Sequence, residues 1–291
     1  MNYSEIKQLA IVSGKGGTGK TTIAAAFAAL AKDKVMVDCD VDAADLHLLL
    51  KPKVLIQEKY FGGRSPHVDL DKCTQCGLCT EVCRFNAIDK GVVNPISCEG
   101  CGFCSHICPE EAIMMEEAFS GDWFISETLY GPFIHARLGI GEENSGKLVT
   151  VVRKKAVEIA KEKNLDLILI DGPPGIGCPV TASIAGVSSV LAITEPTLSG
   201  IHDLERILKL SNHFKIPSMV CVNKFDINFE NTAQIASYCK KNGSRLIGQV
   251  PYEPRVVEAL VQRKTVMDYP CNEVQGIVQR MWEQVKAILI Q

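Results

Sequence analysis

One segment near the amino terminus constrains the fold more than any other. The apolar run Ile6–Val12 leads into the glycine-rich sequence Ser13–Thr22, and the alanine-rich run Ile23–Ala31 follows at once. The letters from Gly14 to Thr21, GKGGTGKT, match GxxxxGK[ST], in which glycines let backbone N–H groups surround phosphate oxygens. A strand, a phosphate loop and a helix in this order predict an α/β nucleotide-binding domain.

The side chains of this loop have distinct expected tasks. Lys20 is expected to reach the β- and γ-phosphates, and the hydroxyl of Thr21 is expected to bind Mg²⁺. The residues predicted to contact the nucleotide all lie in the loop or in the first helical turn: Gly14, Gly16, Gly17, Thr18, Gly19, Lys20, Thr21 and Thr22.

Carboxylates follow two further apolar runs. The run Lys34–Val37 is followed by Asp38 and Asp40, and the run Leu165–Ile170 is followed by Asp171. In α/β proteins, ligands bind at the carboxyl ends of parallel strands. Asp171 is therefore the candidate that supports Mg²⁺ through its water shell, and Asp40 the candidate that orients the attacking water. The alternative for each acid is a capping or turn-forming role.

The rest of the chain alternates between apolar runs and amphipathic stretches, which predicts a doubly wound parallel sheet. The later predicted strands are Val187–Ile193, Ile216–Val222 and Leu246–Val250, and the later predicted helices are Gly200–Phe214, Asn231–Asn242 and Val274–Leu289. Residues from about 53 to 146 are expected to break this alternation.

Eight of the thirteen cysteines lie inside that interruption, in two copies of CxxCxxCxxxC about 25 residues apart. This is the spacing of bacterial two-cluster ferredoxins, in which the fourth cysteine of each run binds the other cluster. The first predicted [4Fe-4S] cluster uses Cys73, Cys76, Cys79 and Cys108. The second uses Cys98, Cys101, Cys104 and Cys83. A pair of zinc sites is the alternative, although zinc motifs usually separate two CxxC pairs by a longer stretch.

The cysteine repeat predicts a small α+β ferredoxin-like domain at residues 61–117, inserted into a P-loop domain made of residues 1–60 and 118–291. Between Asp69 and Glu117, nine acidic and three basic residues give a net charge of −6, which favours a low reduction potential. Arg84 follows the first run, where the usual pattern has proline.

Charge and hydropathy exclude several classes of protein. The net charge is −3, so no basic field attracts nucleic acid or anionic lipid. No apolar run reaches the roughly 20 residues that span a bilayer, and the amino terminus lacks the pattern of a signal peptide. The charges on Val274–Leu289 balance, so this helix is expected to pack on the sheet rather than bind a membrane. The chain is expected to be cytoplasmic.

A second lysine, Lys15, lies inside the phosphate loop. In this feature the loop resembles the deviant Walker A of the MinD/ParA group, which includes the nitrogenase iron protein and Mrp-like cluster carriers. The sequence DGPPG from Asp171 to Gly175 looks like switch II of the carrier branch, and Asp38-Cys-Asp40 resembles the entry to switch I. With the cysteine repeat, the whole chain resembles MinD-superfamily ATPases that contain an inserted ferredoxin domain.

The resemblance implies roles for single residues. Lys15 would cross to the ATP of the partner in an ATP-dependent homodimer, and would act in hydrolysis together with Lys20 and Asp40. Gly175 would sense the γ-phosphate, and Asn223 would contact adenine. The carriers' C-terminal CxxC is absent here, which argues against carriage of a cluster by that route.

Two features leave alternatives open. Asn223-Lys224-Phe225-Asp226 matches the NKxD pattern of guanine-binding proteins, so GTP is the alternative to the Mg-ATP that the deviant loop favours. Cys178, just past switch II, is either a transient cluster or metal ligand at a dimer interface or a small buried thiol.

A phosphate loop and two predicted clusters in one chain suggest that nucleotide state and iron–sulfur chemistry are coupled. The first hypothesis is therefore an ATPase that serves electron delivery or the assembly of iron–sulfur or other metallocofactors, with an unidentified redox or assembly protein as partner. The second is a MinD-like positioning ATPase whose clusters are structural or sense redox state. The third is an electron carrier with a slow, regulatory P-loop.

Overall fold

The computed structural model describes residues 6–139 and 145–289. The strands are β1 (Lys7–Ser13), β2 (Lys34–Asp38), β3 (Lys53–Val68), β4 (Ile88–Asp89), β5 (Val92–Val93), β6 (Ile113–Thr128), β7 (Gly131–Leu138), β8 (Leu167–Pro174), β9 (Ser189–Thr194), β10 (Ser218–Asn223) and β11 (Arg245–Val250). The helices are α1 (Lys20–Leu30), α2 (Leu46–Leu50), α3 (Leu78–Val82), α4 (Phe103–Ile107), α5 (Ser145–Glu162), α6 (Cys178–Ile184), α7 (Leu198–His213), α8 (Phe229–Lys241), α9 (Pro254–Val261) and α10 (Asn272–Leu289).

Nine of the described strands form one sheet in the order β11-β10-β9-β1-β8-β2-β7-β6-β3. All neighbours from β11 to β7 are parallel, whereas β6 is antiparallel to both β7 and β3. The expected α/β architecture with a mostly parallel sheet is confirmed. The expectation that residues 53–146 interrupt the sheet is too broad, because β7 pairs with β2 and extends it.

Helices cover both faces of the sheet, which explains why the central strands are apolar on both sides. On one face, α1 and α10 meet through Phe27 and Trp282, whose ring centroids are 5.1 Å apart. Four alanines of α1, Ala24, Ala25, Ala26 and Ala28, are fully buried, so this helix lies close against the strands. On the other face, α5 buries Leu148, Val149 and Val152. The apolar side of α10 is buried in the same way, as expected for a helix that packs on the sheet.

The strands β3 and β6 are sixteen residues long and only partly belong to the main sheet. The strand β7 pairs with β6 only as far as Gly121, which lies opposite Leu138 on one side and Tyr60 on the other. Beyond this point β3 and β6 continue as a two-stranded ribbon made of residues 61–68 and 113–119, here called the arm. Residues 69–112, which contain α3, β4, β5 and α4, form the cysteine module at the end of the arm.

The arm leaves the sheet at its carboxyl edge. Val37 of β2 lies opposite Ile134, so Leu138 extends beyond the end of β2, and its N–H donates to the carbonyl of Val41 at 3.0 Å. Because the phosphate loop follows β1 at this same edge, the cysteine module is connected to the edge of the sheet that carries the predicted nucleotide site.

Candidate functional site

The phosphate loop requires glycine at specific positions. Gly17 and Gly19 have positive φ angles of 79° and 89°, a region in which a side chain is strained. A Cβ atom on Gly14 would lie 2.1 Å from the Cβ of Asp203, and one on Gly19 would lie 2.4 Å from the Nδ2 of Asn223. The sequence therefore folds into a tight loop, and α1 begins at Lys20 directly after it.

The structure brings Lys20 together with the predicted acids. Its Nζ lies 2.8 Å from Oδ1 of Asp171 and 3.7 Å from Oδ2 of Asp40. Asp38 accepts from the backbone N–H groups of Asp40 and Leu46, at 3.0 and 3.3 Å. Three carboxylates and one ammonium group therefore share a small buried volume at the carboxyl ends of β2 and β8.

Two polar atoms in this site have no hydrogen-bond partner among the described residues. They are Oδ2 of Asp171 and Oγ1 of Thr18, and their residues are 1% and 2% exposed. A buried polar atom without a partner is costly, so such atoms mark places that a bound ion, water or phosphate would satisfy. Both lie where the sequence predicts Mg²⁺ and phosphate.

Burial and mutual repulsion shift the protonation of the acids. Burial raises the pKa of Asp40 to about 6, although Lys20 opposes this shift. Burial and then repulsion by Asp171 hold the pKa of Asp38 well above its ordinary value. Burial lowers the pKa of Lys20, but attraction by Asp171 and the neighbouring carboxylates outweighs this and keeps the pKa above its usual range. The site is rich in negative charge and suited to a divalent cation.

A cavity of about 470 Å³ lies over the loop. One wall is polar, with Asn223, whose Nδ2 donates to the carbonyl of Thr18 at 2.9 Å. The facing wall is made of aliphatic side chains from β11, α9 and the segments that follow: Val250, Val256, Val257, Leu260, Val266 and Val274. An apolar cleft beside a phosphate loop suits a planar base.

The last residue of the NKxD pattern has another partner. Oδ1 of Asp226 accepts from the backbone N–H of Tyr252 at 2.7 Å. This bond holds the segment between β11 and α9, and both of these elements contribute to the aliphatic wall. One oxygen of the carboxylate that would select guanine in a G protein is therefore occupied by the fold.

Lys15 lies at the rim of the site with a side chain 35% exposed. Its Nζ is 3.6 Å from Oε2 of Glu195 and 3.3 Å from Oγ of Ser199. Glu195 also forms an ion pair with Lys224, at 2.5 Å. Lys15 therefore turns toward the start of α7 in the single chain, rather than into its own phosphate loop.

The predicted switch II glycine and the cysteine beyond it lie close to the loop. Gly175 has φ 95°, and its N–H donates to the carbonyl of Ser13 at 2.8 Å. Cys178 begins α6 and is exposed, so the structure does not support the buried-thiol alternative for this residue.

The cysteine module repeats its backbone as well as its sequence. Residues 25 positions apart share left-handed conformations, in the pairs Gln75 and Gly100, Gly77 and Gly102, and Asn86 and Glu111. A five-residue helix follows Gly77 in one copy and Gly102 in the other. The two halves therefore fold into matching units.

Two cavities each collect one predicted ligand set. Cys83, Cys98, Cys101 and Cys104 line a cavity of about 450 Å³, together with Phe85 and Phe103. Cys73, Cys76, Cys79 and Cys108 line a smaller one of about 20 Å³. In each cavity the fourth cysteine comes from the other run, and the assignment of these residues as cluster ligands stays a prediction.

Backbone amides point at the thiols of this module. The N–H of Ala87 donates to Sγ of Cys83 at 3.3 Å, and the N–H of Ala112 donates to Sγ of Cys108 at 3.4 Å. Burial opposes ionisation of Cys83, but the amides of Ala87 and its neighbours together hold the pKa of this thiol below its ordinary value. Hydrogen bonds of this kind stabilise a thiolate ligand.

No group of three or more His, Cys, Asp or Glu side chains in residues 6–139 and 145–289 is arranged to hold a single metal ion. A four-iron cluster differs from a single ion because each thiolate binds a different iron atom. Of the remaining cysteines, Cys39, Cys221, Cys239 and Cys271 are buried, and burial raises the pKa of Cys221 to about 12.

Two features of the site were missed by the sequence motifs: Glu195 joins Lys15 to Lys224, and α9 supplies part of the aliphatic wall. The one weak signal for Glu195 is its position as an acid directly after the apolar strand β9. Asp38 holds the first turn of α2, which is the capping role that the sequence offered as the alternative for the acids. The position of α9 depends on the tertiary contact between Asp226 and Tyr252.

Comparisons with known proteins identify the family. The CobQ/CobB/MinD/ParA nucleotide-binding domain matches residues 9–266. An uncharacterized protein of Methanocaldococcus jannaschii is 33% identical over 98% of both chains. Nitrogenase iron protein 2 of Methanothermococcus thermolithotrophicus is 23% identical over 96% of this chain and 88% of its own. None of these matches shows an inserted ferredoxin domain, which stays a prediction.

A solved structure supports the same fold. The septum site-determining protein MinD of Pyrococcus horikoshii, complexed with Mg-ADP, superposes with a TM-score of 0.57 at 17% identity, over 96% of this chain and 95% of that chain. In the described part of the chain, no helix is long and apolar enough to cross a membrane. By the extent of its family match and its full-length relative, the chain belongs to the CobQ/CobB/MinD/ParA family of nucleotide-binding proteins.

Proposed function

We propose that this protein binds and hydrolyses Mg-ATP and couples its nucleotide state to electron transfer or metallocofactor assembly through two [4Fe-4S] clusters. The observation that carries the proposal is the joint presence of a family nucleotide site and two cysteine quartets in separate cavities. The arm that holds these cavities begins at the carboxyl edge of the sheet, beside the predicted switch I.

The contacts of Lys20 with Asp171 and Asp40 support the following roles in nucleotide binding. Backbone amides from Gly14 to Thr22 surround the phosphates, and Thr21 binds Mg²⁺ while Asp171 supports its water shell. Lys20, now paired with Asp171, exchanges that partner for phosphate oxygens. Asp40 positions the attacking water, and Gly175 contacts the γ-phosphate.

ATP is favoured over GTP by the base cavity. Asn223 supplies one polar edge, while an oxygen of Asp226 accepts from the backbone of Tyr252. The aliphatic wall suits adenine, and Asp226, the carboxylate that would recognise the guanine edge, is not among the residues that line the cavity in the described part of the chain. The relative solved with Mg-ADP has the same fold and binds an adenine nucleotide.

The donor chemistry of the module fits two iron–sulfur clusters. Each cavity offers four cysteine sulfurs, which is the ligand number of a [4Fe-4S] cluster. When bound, these groups supply one-electron transfer. The protein's own contribution is the orientation of the thiols, the amide hydrogen bonds to Cys83 and Cys108, and the net charge of −6 between Asp69 and Glu117, which favours a low potential. A relative named as a nitrogenase iron protein supports iron chemistry in this family.

Lys15 supports an ATP-dependent homodimer. Its partly exposed ammonium group is held at the rim by Glu195 and Ser199, so it is available to a second copy once these contacts break. In the dimer it contacts the partner's ATP, and the redox or assembly protein that uses the clusters docks separately.

The second candidate is a positioning ATPase, favoured by the fold shared with a septum site-determining MinD. In that case the clusters are structural or sense redox state. The burial of Val274, Val278 and Val285 in α10 argues against this candidate, because that helix has no free apolar face for a membrane.

An anaerobic EPR redox titration of the reconstituted protein, with and without Mg-ATP, tests the proposal. A change in midpoint potential of 59 mV, a tenfold change in the equilibrium constant for one electron, is the expected result. Lys20→Ala is expected to abolish the change while cluster content stays normal. Two intact clusters and bound ATP without any change in potential would favour the positioning ATPase.

A further inference from the structure

The base of the arm has an irregular backbone in both of its strands. The pairing of β3 with β6 shifts register between Tyr60 and Phe61 and again between Phe61 and Gly63. On the other strand, Gly121 has φ 156°. Bulges of this kind redirect a strand pair, so the orientation of the arm is decided within residues 60–63 and 118–121, here called the joint.

Ser120 lies at the centre of the joint and is fully buried. Its Oγ accepts from the N–H of Gly62 at 3.3 Å and donates to the carbonyl of Ala118 at 3.2 Å. Its carbonyl accepts from the N–H of Gly139 at 2.9 Å. This one residue therefore binds both strands of the arm and the end of β7.

The end of β7 is in turn bound to the predicted switch I. The N–H of Leu138 donates to the carbonyl of Val41 at 3.0 Å. Val41 directly follows Asp40, whose carboxylate lies 3.7 Å from Nζ of Lys20. A continuous path of short contacts thus runs from the phosphate site through Val41, Leu138 and Ser120 to the arm.

We propose that Ser120 is a positioning residue that couples nucleotide binding to the orientation of the cysteine module. When phosphate oxygens replace the carboxylates as partners of Lys20, Asp40 is released from its ion pair with Lys20. The segment that includes Val41 then moves with Asp40, and the bonds to Leu138 and Ser120 carry the displacement into the arm. This inference rests on the proposed function and names the residue through which that coupling acts.

The test compares three variants of the full-length holoprotein. Ser120→Ala removes the hydroxyl that joins the two strands, whereas Ser120→Thr keeps it. Ser126→Ala is the matched control, because Ser126 is 1% exposed on the same strand but bonds His135 within the main sheet. Thermal unfolding confirms that each variant folds, and iron content confirms that each is loaded.

Two readouts are measured with and without nucleotide. Hydrogen–deuterium exchange with Mg-AMPPNP reports the protection of residues 61–68 and 113–119 without relying on the clusters. EPR titration with Mg-ATP reports the midpoint potential. The wild type, Ser120→Thr and Ser126→Ala are expected to show a tenfold change in the redox equilibrium and altered protection of the arm. Ser120→Ala is expected to lose both responses and to bind ATP within twofold of the wild type.

The outcomes separate this inference from the proposed function. A full response in Ser120→Ala overturns the role of Ser120 and leaves the proposed function intact. Equal losses of both responses in Ser120→Ala and Ser126→Ala also overturn the role of Ser120, since a general change in the packing of β6 would then explain them. If nucleotide alters the protection of the arm in the wild type but leaves the midpoint potential unchanged, transmission through the joint is supported and redox coupling is contradicted. The absence of both responses in loaded, ATP-bound wild type overturns both ideas.

Discussion

The nucleotide domain and the cysteine module are stabilised in opposite ways. The strands β1, β2 and β9 are buried along most of their length between two layers of helices. The helices α3 and α4 of the module have no buried residue, and the buried apolar side chains between residues 69 and 113 are Ala87, Ile88, Ala112 and Ile113. One region has a core of its own, and the other lacks one.

The free energies of burial and of chain ordering show why the missing core matters for the cysteine module. Burying an isoleucine contributes about 1.5–3 kcal/mol, whereas ordering a backbone costs about 1–2 kcal/mol for every residue. Two isoleucines and two alanines therefore cannot hold residues 69–112 in place. Bonds from the thiols to metal clusters would supply the missing free energy, as they do in other small metal-dependent domains.

The largest expected effect is on the module without iron. Protein prepared without iron and sulfide is expected to be cut by protease between residues 69 and 112, while the nucleotide domain stays folded and binds ATP. Limited proteolysis with mass spectrometry measures the cut sites, and the reconstituted protein is the control. Equal resistance in both samples would show that something other than the clusters stabilises the module.

The next largest effect is expected from a change in the nucleotide site that leaves the cysteine module intact. Lys20→Ala is expected to lower ATP hydrolysis by about 10²–10³-fold, because it removes a preorganised charge at the phosphates. Phosphate release measures turnover, and iron content is expected to stay unchanged. Lys32→Ala, which alters an exposed lysine just after α1, is the matched control. Unchanged turnover in Lys20→Ala would place hydrolysis elsewhere.

A smaller effect concerns the pH dependence of the nucleotide-free domain. The raised pKa of Asp40, about 6, means that the folded protein favours the protonated carboxyl. The free energy of unfolding therefore falls as pH rises from the ordinary pKa of an aspartate through 6, because ionised Asp40 is buried near Asp171. Asp40→Asn is expected to raise Tm by a few degrees, and by more at pH 7.5 than at pH 5.

Scanning calorimetry at both pH values measures this difference. Asp42→Asn, an exposed neighbour, is the control and is expected to change Tm little at either pH. An equal gain from Asp40→Asn at both pH values would show that Asp40 is already ionised at pH 5.

The smallest effect is expected at Cys178. It is exposed at the start of α6, outside the cavities that hold the two quartets, so Cys178→Ser is expected to leave about eight iron atoms in each chain. Cys83→Ser is the contrasting variant and is expected to lose about half of the iron. Iron and sulfide analysis measures both. Iron loss in Cys178→Ser would assign this residue to a further cluster between subunits.

Much of the fold could be predicted because its signals are local. The helices predicted at Gly200–Phe214, Asn231–Asn242 and Val274–Leu289 are observed at Leu198–His213, Phe229–Lys241 and Asn272–Leu289. Apolar periodicity specifies such elements to within a few residues, because each one buries a single face. The two short helices α6 and α9 lack a long periodic pattern, and sequence reasoning missed them.

The candidate site also combines local features, which could be predicted, with contacts between distant residues, which could not. The loop from Gly14 to Thr22 could be predicted because its conformation depends on the glycines within it. The contacts of Lys15 with Glu195 and of Asp226 with Tyr252 could not, since each joins residues far apart in sequence. Motifs identified the residues, but their present partners depend on how the strands are ordered.

The sequence by itself determined the phosphate loop, the two cysteine runs and the alternation of strands and helices, because each depends on short-range spacing. Only the tertiary structure decided that β7 returns to the sheet, and that Ser120 lies between the predicted switch I and the arm. Those features depend on pairings between distant strands, in which a shift of one residue would exchange the two faces. The physical reason is that spacing fixes local backbone geometry, whereas strand order is chosen by burial across the whole sheet.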